Sequence, residues 1–292
     1  MTDASGSTPN PLPTSGDKSA ELRTRIISAL VLAPVALGLT WFGGWPFAAM
    51  LAVAGVIMAW ELSTLLPGIS PTMRIMLAGF VIIAIGLTAI GGPFVAVLVS
   101  MAGLTFAVTI AILTGSPTLS PAIAFPYLIL PLISLMWLRH DPEGGPDYGR
   151  IAIFWLLFTV WATDTFAYFA GRGFGGPKLV PRLSPNKTWA GLIGGMIGAA
   201  LVGAITATWF SLGSPIGLAF VSAIIAVIAQ AGDILESALK RRAGVKDSGK
   251  IIPGHGGILD RVDGLVTAAV GAAIISTLHG AMSPAAGVLL WP

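Results

Sequence analysis

The ionisable residues of this chain are concentrated in one segment near its C-terminal end, residues 232–264. The segment reads GDILESALKRRAGVKDSGKIIPGHGGILDRVDG and is flanked by long apolar sequence. Asp233 stands at its beginning, and Asp260 and Asp263 stand at its end. Carboxylates beside basic side chains suit a hard cation such as Mg²⁺, which takes oxygen ligands and keeps water or substrate phosphate as the others. The residue types therefore predict a cation and phosphate site where the two ends of the segment meet.

A glycine-rich turn lies between these acids. Residues 253–257 read PGHGG, so the backbone can approach a ligand closely and offer N–H groups to phosphate oxygens. His255, at its centre, is a candidate general acid or base, or a donor to phosphate. Acids for a metal, bases for phosphate and a glycine-rich turn together indicate phosphoryl or nucleotidyl transfer.

A second polar segment, residues 164–191, reads DTFAYFAGRGFGGPKLVPRLSPNKTWAG. Asp164 falls inside a predicted membrane span, where an acid is costly and therefore indicates function. Ser184, Lys187 and Thr188 are expected at the start of the next helix, where free N–H groups and the helix dipole favour anions. This segment is a second candidate for phosphate binding.

Four polar residues of the first segment lie on one face of a helix. Asp233, Glu236, Ser237 and Lys240 follow one another at i, i+3, i+4 and i+7. Simpler interpretations stay open, because Glu236 and Lys240 could form an ordinary i,i+4 pair, and Asp233 and Asp260 could be helix caps.

Several other charged residues also have simpler interpretations. Arg241 and Arg242 could anchor a helix end and bind anionic headgroups. Asp164 could be a structural acid with satisfied hydrogen bonds. Glu61 and His140 are interpreted as interfacial or loop residues.

The composition is that of a polytopic membrane protein. Of 292 residues, 55% are hydrophobic and 10% are charged, whereas soluble domains carry about 25% charged residues. The mean hydropathy is +0.87. The fold class expected is all-α, a helical bundle of about nine transmembrane helices. The pI near 9.4 does not indicate nucleic-acid binding, and the absence of cysteine excludes disulfides.

Apolar runs of about 20 residues predict the spans. They are residues 26–43, 46–66, 73–91, 93–114, 121–138, 151–171, 189–210, 214–234 and 264–288. Residues 1–22 are expected to form a disordered cytoplasmic tail, because they are rich in Ser, Thr, Pro and Gly. Residues 23–140 form the N-terminal helices, and residues 150–292 form the catalytic helices with two polar loops, 172–188 and 235–263.

Basic residues predict the orientation in the membrane. With nine spans, all of the 16 basic residues except Arg139 and Arg150 fall on one side, which the positive-inside rule makes cytoplasmic. The N-terminus and both polar loops are then cytoplasmic, in the inner or plasma membrane. Outside Asp164 the spans are almost free of charge, which disfavours a transporter or channel.

Residues 237–263, SALKRRAGVKDSGKIIPGHGGILDRVD, closely resemble the signature of phosphatidate cytidylyltransferases, also called CDP-diacylglycerol synthases. The matching positions are Ser237, Lys240 and Arg241, Lys246 and Asp247, Gly254 to Gly257 around His255, and Asp260, Arg261 and Asp263. The upstream D..AY..GR and SPNKTWAG patterns are similar to the family as well, so the resemblance covers residues 160–265. Asn186 and Ala190 depart from it, since the family usually shows Lys and Glu there, and neither is given a function.

The family converts CTP and phosphatidic acid into CDP-diacylglycerol and pyrophosphate with Mg²⁺. The resemblance implies that Asp233 and Asp260 hold the metal. The catalytic residues it implies are Asp164, Asp233, Lys240, His255, Asp260 and Asp263. The substrate-binding residues it implies are Ser184, Lys187, Ser237, Arg241, Lys246, Asp247, Gly256, Gly257 and Arg261.

Two alternatives stay open at this level. A CTP-dependent lipid kinase or another lipid-phosphate transferase would use similar groups and form a different product.

Membrane lipids are expected partners, and a homodimer is suggested by glycines at four-residue spacing, Gly191 with Gly195 and Gly194 with Gly198. The same spacing also serves helix packing within one chain.

Overall fold

The computed structural model describes residues 30–140, 147–249, 251, 256–281 and 283–292. The helices are α1 Leu30–Phe42, α2 Gly44–Leu65, α3 Pro71–Gly91, α4 Pro93–Leu113, α5 Leu119–Leu138, α6 Tyr148–Gly173, α7 Trp189–Phe210, α8 Pro215–Arg242, α9 Leu259–His279 and α10 Pro284–Leu289. Two short strands, β1 Lys178–Val180 and β2 Ser184–Thr188, pair antiparallel between α6 and α7. The predicted tail, residues 1–22, and His255 lie outside the described residues.

Within these described ranges, eight helices, α2 to α9, are long and apolar enough to cross a membrane. The described part of α1 is shorter and also apolar. The prediction of an all-α bundle with about nine transmembrane helices is therefore confirmed. In the described ranges the structure adds a small hairpin and the short helix α10. The protein is an integral membrane protein.

The last long helix begins earlier than its hydropathy indicated. The span expected at residues 264–288 is helix α9, which runs Leu259–His279. Gly280, with φ 68°, ends the helix in the left-handed conformation that glycine adopts at low cost. Asp260 and Asp263 consequently lie in the first two turns of α9 rather than before it.

Helices α6 and α7 pack closely because α7 presents glycines to α6. A Cβ atom at Gly194 would lie 3.1 Å from the Phe166 carbonyl oxygen, and one at Gly195 would lie 3.0 Å from that of Thr163. The four-residue glycine spacing is thus used within the chain. The homodimer suggested by the same spacing stays a prediction.

Helices α8 and α9 pack side by side, as expected for sequential helices joined by a moderate loop. Thr267 Oγ1 on α9 donates to the Ile228 carbonyl oxygen on α8 at 2.9 Å. A Cβ atom at Gly232 would lie only 2.8 Å from the Asp263 carbonyl oxygen. The missing side chain at Gly232 lets the helices approach where each carries an acid, Asp233 on α8 and Asp263 on α9.

Candidate active site

The hairpin delivers a lysine to the first acid. Lys187, on β2, places Nζ 2.7 Å from Asp233 Oδ2 and donates to the Gln230 carbonyl oxygen at 3.2 Å. Both side chains of the ion pair are partly buried, with 14% of Lys187 and 31% of Asp233 exposed. The two polar segments of the sequence therefore meet at the C-terminal part of α8.

The expectation for Ser184, Lys187 and Thr188 needs a correction. These residues form strand β2, so they do not offer the free N–H groups of a helix start. Thr188 is the N-cap of α7, and its hydroxyl accepts from the Gly191 N–H at 3.0 Å. A Thr side chain at this position satisfies one of the donors that an anion would otherwise bind.

A second lysine joins α8 to α9. Lys240 Nζ lies 2.9 Å from Glu236 Oε2, one turn earlier on α8, and 2.9 Å from Asp260 Oδ1 on α9. Glu236 is fully buried, and the side chains of Asp260 and Lys240 are 6% and 15% exposed. The i,i+4 pair of Glu236 and Lys240 is therefore present, but it is buried and extends to Asp260 on α9.

The carboxylate of Asp260 also orders the backbone before α9. The Ser248 N–H donates to its Oδ2 at 2.9 Å and to its Oδ1 at 3.1 Å, and the Gly257 N–H donates to Oδ2 at 2.9 Å. Gly256 has φ 85°, and a Cβ atom there would lie 2.9 Å from Asp260 Oδ2. Asp260 thus holds Ser248 and Gly257, the last residue of the glycine-rich turn.

Glu61 is a member of the site that the sequence interpretation missed. It lies on α2, is 2% exposed, and accepts from the N–H groups of Ile258 at 3.0 Å and Leu259 at 2.8 Å. Its only sequence signal was that of an acid within an apolar helix, which indicates function by default. Nothing in the sequence paired it with residues near the other end of the chain.

The other acids lie around the same point on α8. Gln230 Nε2, one turn before Asp233, donates to Asp164 Oδ1 over a long 3.4 Å. Asp263 Oδ1 accepts from the Gly264 N–H at 2.8 Å. Gln230 was not singled out by the sequence, although it lies on the face predicted for the site.

Among the remaining predicted substrate-binding residues, Ser237 lies beside the cluster. Its Oγ is 3.4 Å from Asp233 Oδ1. Arg241, Lys246, Asp247 and Arg261 are exposed. The roles assigned to these residues stay predictions.

The chain matches the model of the cytidylyltransferase family over residues 23–279. The chain belongs to the cytidylyltransferase family. It is 37% identical over 252 residues to a protein named phosphatidate cytidylyltransferase of Brucella abortus, covering 86% of this chain and 91% of the relative. A protein of the same name from Haemophilus influenzae is 42% identical over 164 residues, which is 52% of this chain and 55% of that one.

The match to the cytidylyltransferase family begins far upstream of the signature. Residues 23–279 include helix α2 and Glu61 as well as both polar segments. The sequence resemblance was firm only over residues 160–265, so the family extends to the N-terminal helices. The resemblance to phosphatidate cytidylyltransferases is confirmed.

The donors in the site of this cytidylyltransferase family member fit a hard cation. Within the described ranges, no group of three or more His, Asp or Glu side chains could by itself hold a metal ion. Mg²⁺ does not need such a group, because it is commonly held by one or two carboxylates with water and substrate phosphates. Glu236 Oε1 is buried and has no hydrogen-bond partner among the described residues. A carboxylate oxygen without a donor is therefore present on the residue that shares Lys240 with Asp260.

Proposed function

We propose that this protein transfers the cytidylyl group of CTP to phosphatidic acid, giving CDP-diacylglycerol and pyrophosphate in phospholipid biosynthesis. One observation carries the proposal: on the neighbouring helices α8 and α9, Asp233 is paired with Lys187 and Asp260 is paired with Lys240. Lys240 and Asp260 belong to the family signature, and Lys187 belongs to the upstream SPNKTWAG pattern. The relatives that share most of the chain carry the name of this activity.

The proposed reaction is an in-line displacement at the α-phosphorus of CTP. An oxygen of the phosphatidic acid monoester forms the new bond to that phosphorus, and the bond to the bridging oxygen of the β-phosphate breaks. Pyrophosphate leaves with the electron pair of the broken bond. Catalysis of such a transfer rests mainly on positioning and on stabilising charge. Lys187 and Lys240 would bind the phosphates, and each ammonium group lies within 2.9 Å of a carboxylate oxygen proposed to hold the cation.

We infer Mg²⁺ as the cofactor, held by Asp233 and Asp260. When bound there, it supplies positive charge to the phosphate oxygens and the leaving group. Asp260 would hold the cation beside Lys240, because Oδ1 of Asp260 accepts from Lys240 Nζ. Lys240 would add a second positive charge next to the phosphates.

We also infer that the site faces the cytoplasm, with the N-terminus on the same side of the inner or plasma membrane. The support is the distribution of basic residues, which favours the cytoplasmic side for both polar segments. This location brings a water-soluble nucleotide and a membrane lipid to one interface. Phosphatidic acid and CTP are the partners that the proposal requires, and neighbouring lipids contact the apolar surface.

Pyrophosphate release tests the proposed reaction. Purified protein with CTP and Mg²⁺ is expected to release pyrophosphate only when phosphatidic acid is present, since the lipid phosphate is the nucleophile. Release should stop when the metal is chelated. Equal CTP turnover with diacylglycerol in place of phosphatidic acid would instead show a lipid kinase.

A further inference from the structure

Glu61 connects the N-terminal helices to the backbone of the catalytic cluster. Its Oε1 accepts from the Ile258 N–H and its Oε2 from the Leu259 N–H, across sequence separations of 197 and 198 residues. No hydrogen bond in the described site spans more of the chain. The carboxylate is buried, so these bonds are protected from water.

These two bonds give α9 its N-terminal cap. The N-cap residue, Ile258, has no polar side-chain atom, and α9 begins at Leu259. The first N–H groups of a helix need acceptors, and an anion there also interacts favourably with the helix dipole. Glu61 supplies both from α2. The next residue along α9 is Asp260, so the cap fixes the turn that carries this acid.

Ser248 lies between the two carboxylates. Its hydroxyl makes a long contact of 3.5 Å with Glu61 Oε2, while its backbone N–H donates to Asp260. Gly257 and Ile258, neighbours in the chain, donate one to Asp260 and the other to Glu61. Consecutive backbone N–H groups at the start of α9 thus bind two different carboxylates, those of Asp260 and Glu61.

The surrounding backbone leaves no space for a larger group. A Cβ atom at Gly249 or at Gly257 would lie 2.7 Å from Glu61 Oε1. Contacts this short would force the carboxylate or the backbone to move. The glycines thus allow the chain on both sides of the turn to close around Glu61.

We propose that Glu61 is a positioning residue for nucleotidyl transfer: it holds the start of α9 and Ser248 so that Asp260 keeps its orientation toward Lys240 and a bound cation. The inference rests on the proposed function, because it requires Asp260 to act in catalysis. It makes helix α2 part of the active site. A buried acid that only stabilised the fold would change the amount of folded protein and leave the turnover of each folded molecule unaltered.

The test compares Glu61→Gln and Glu61→Asp with wild type in the full-length membrane protein. Glutamine keeps one acceptor oxygen and turns an amide donor toward a backbone N–H, so one of the two bonds is lost. Aspartate keeps both oxygens on a shorter side chain. Ser63→Ala is the matched control, because Ser63 is buried on the same helix and its hydroxyl donates to the Trp60 carbonyl oxygen, its one hydrogen bond among the described residues. Asp260→Asn is measured in parallel.

The steady-state rate of each variant is divided by its amount of folded protein. Size-exclusion chromatography after heating measures that amount. We expect Glu61→Gln to lower kcat by about 10-fold to 100-fold, as for groups that orient a metal ligand. The KM values for CTP and phosphatidic acid should change far less, and Glu61→Asp should recover part of the loss. Ser63→Ala should have wild-type kcat.

Two results would overturn the inference. The first is wild-type kcat per folded molecule in Glu61→Gln, which would reduce Glu61 to a structural acid whose loss lowers only the amount of folded protein. If Asp260→Asn were inactive in the same series, the proposed function would still stand. Normal turnover in Asp260→Asn would remove the group that Glu61 positions, and would count against the catalytic assignment as well.

Discussion

At the scale of residues, three carboxylates of the site are buried or half-buried and are held by lysines. Lys187 pairs with Asp233, and Lys240 bridges Glu236 and Asp260. Removing such charges from water is costly unless each is paired. The pairs are therefore compatible with an active site without substrate. A triphosphate could replace a carboxylate as the partner of a lysine, and a cation could replace a lysine as the partner of a carboxylate.

The two metal-binding candidates give the first prediction. Asp233→Asn and Asp260→Asn should each abolish turnover in folded protein, and the double variant should be no worse than either, because groups that act as a unit are not additive. Loss of a helix cap would instead cost about 1 kcal/mol of stability. Product formation and thermal midpoints, measured on the same samples, distinguish a metal-binding role from a helix-capping role.

Asp147→Asn is the control for this series. Asp147 is an acid at the start of α6 with 61% of its side chain exposed, and it pairs with Arg150. It should keep full activity. Near-normal activity with a lowered thermal midpoint in Asp233→Asn or Asp260→Asn would contradict the metal assignment.

The bridging lysine gives the second prediction. Lys240→Met leaves two buried carboxylates without their shared cation, which typically costs about 3–5 kcal/mol. Adding Glu236→Gln removes one of the unpaired charges and should recover part of the stability but none of the activity, because Lys240 is also needed for phosphate. Thermal unfolding in detergent measures the first effect. Stability in the double variant equal to or below that of Lys240→Met alone would argue against the buried bridge.

At the scale of elements, hydropathy predicted the helices well and their polar ends poorly. The span predicted at residues 189–210 matches α7 at both ends. The start of α9 was placed five residues late, because Asp260, Arg261 and Asp263 lower the local hydropathy. The helix nevertheless begins at Leu259, since its first N–H groups are capped by Glu61.

The same limit applies to the polar loop before α7. The sequence gives residues 184–188 the appearance of a helix start, with Ser, Lys and Thr before an apolar run. In the structure these residues pair with β1, and only Thr188 acts as the cap. Strand pairing over such a short hairpin depends on tertiary contacts, among them that of Lys187 with Asp233.

The contact between α8 and α9 gives the third prediction. Gly232→Ala would place a methyl group against the Asp263 carbonyl oxygen and Thr267, and overpacking of this kind costs about 1–3 kcal/mol. The helices should separate slightly, and activity should fall more than stability because Asp233 and Asp260 move apart. Measuring kcat and the thermal midpoint on the same samples shows whether activity falls more than stability.

Gly86→Ala is a matched control for the same substitution. Gly86 lies within α3, and a Cβ atom there meets nothing within 4 Å. It should behave as wild type. Equal effects of the two substitutions on activity would show that the close approach at Gly232 has no part in the site.

At the scale of the whole molecule, the two halves of the chain are joined at the site. The sequence predicted the membrane bundle and the polar segments of its C-terminal half, because apolar runs and clustered charges are local signals. It did not predict the part taken by α2, because the bond from Glu61 to Leu259 joins residues 198 positions apart. A single sequence holds no local signal for such a pair.

The membrane orientation is the fourth prediction. The chain has no cysteine, so one introduced at an exposed position reports its side of the membrane. Lys246→Cys should react with an impermeant reagent only after the cytoplasmic face is opened, because the positive-inside rule places it there. Trp209→Cys is the counterpart that should react from outside. Trp209 is 80% exposed and lies near the C-terminal end of α7, the end away from the polar segments. Labelling of Lys246→Cys in intact cells would contradict the orientation.

In the proposed reaction, the α-phosphate of CTP becomes part of the lipid product. An assay with phosphatidic acid, Mg²⁺ and CTP labelled either at the α-phosphorus or at the γ-phosphorus tests this. We expect α-label to enter the lipid extract as CDP-diacylglycerol and γ-label to stay in the aqueous phase as pyrophosphate. Transfer of γ-label into lipid, or no transfer of α-label by protein shown to be folded, would contradict it.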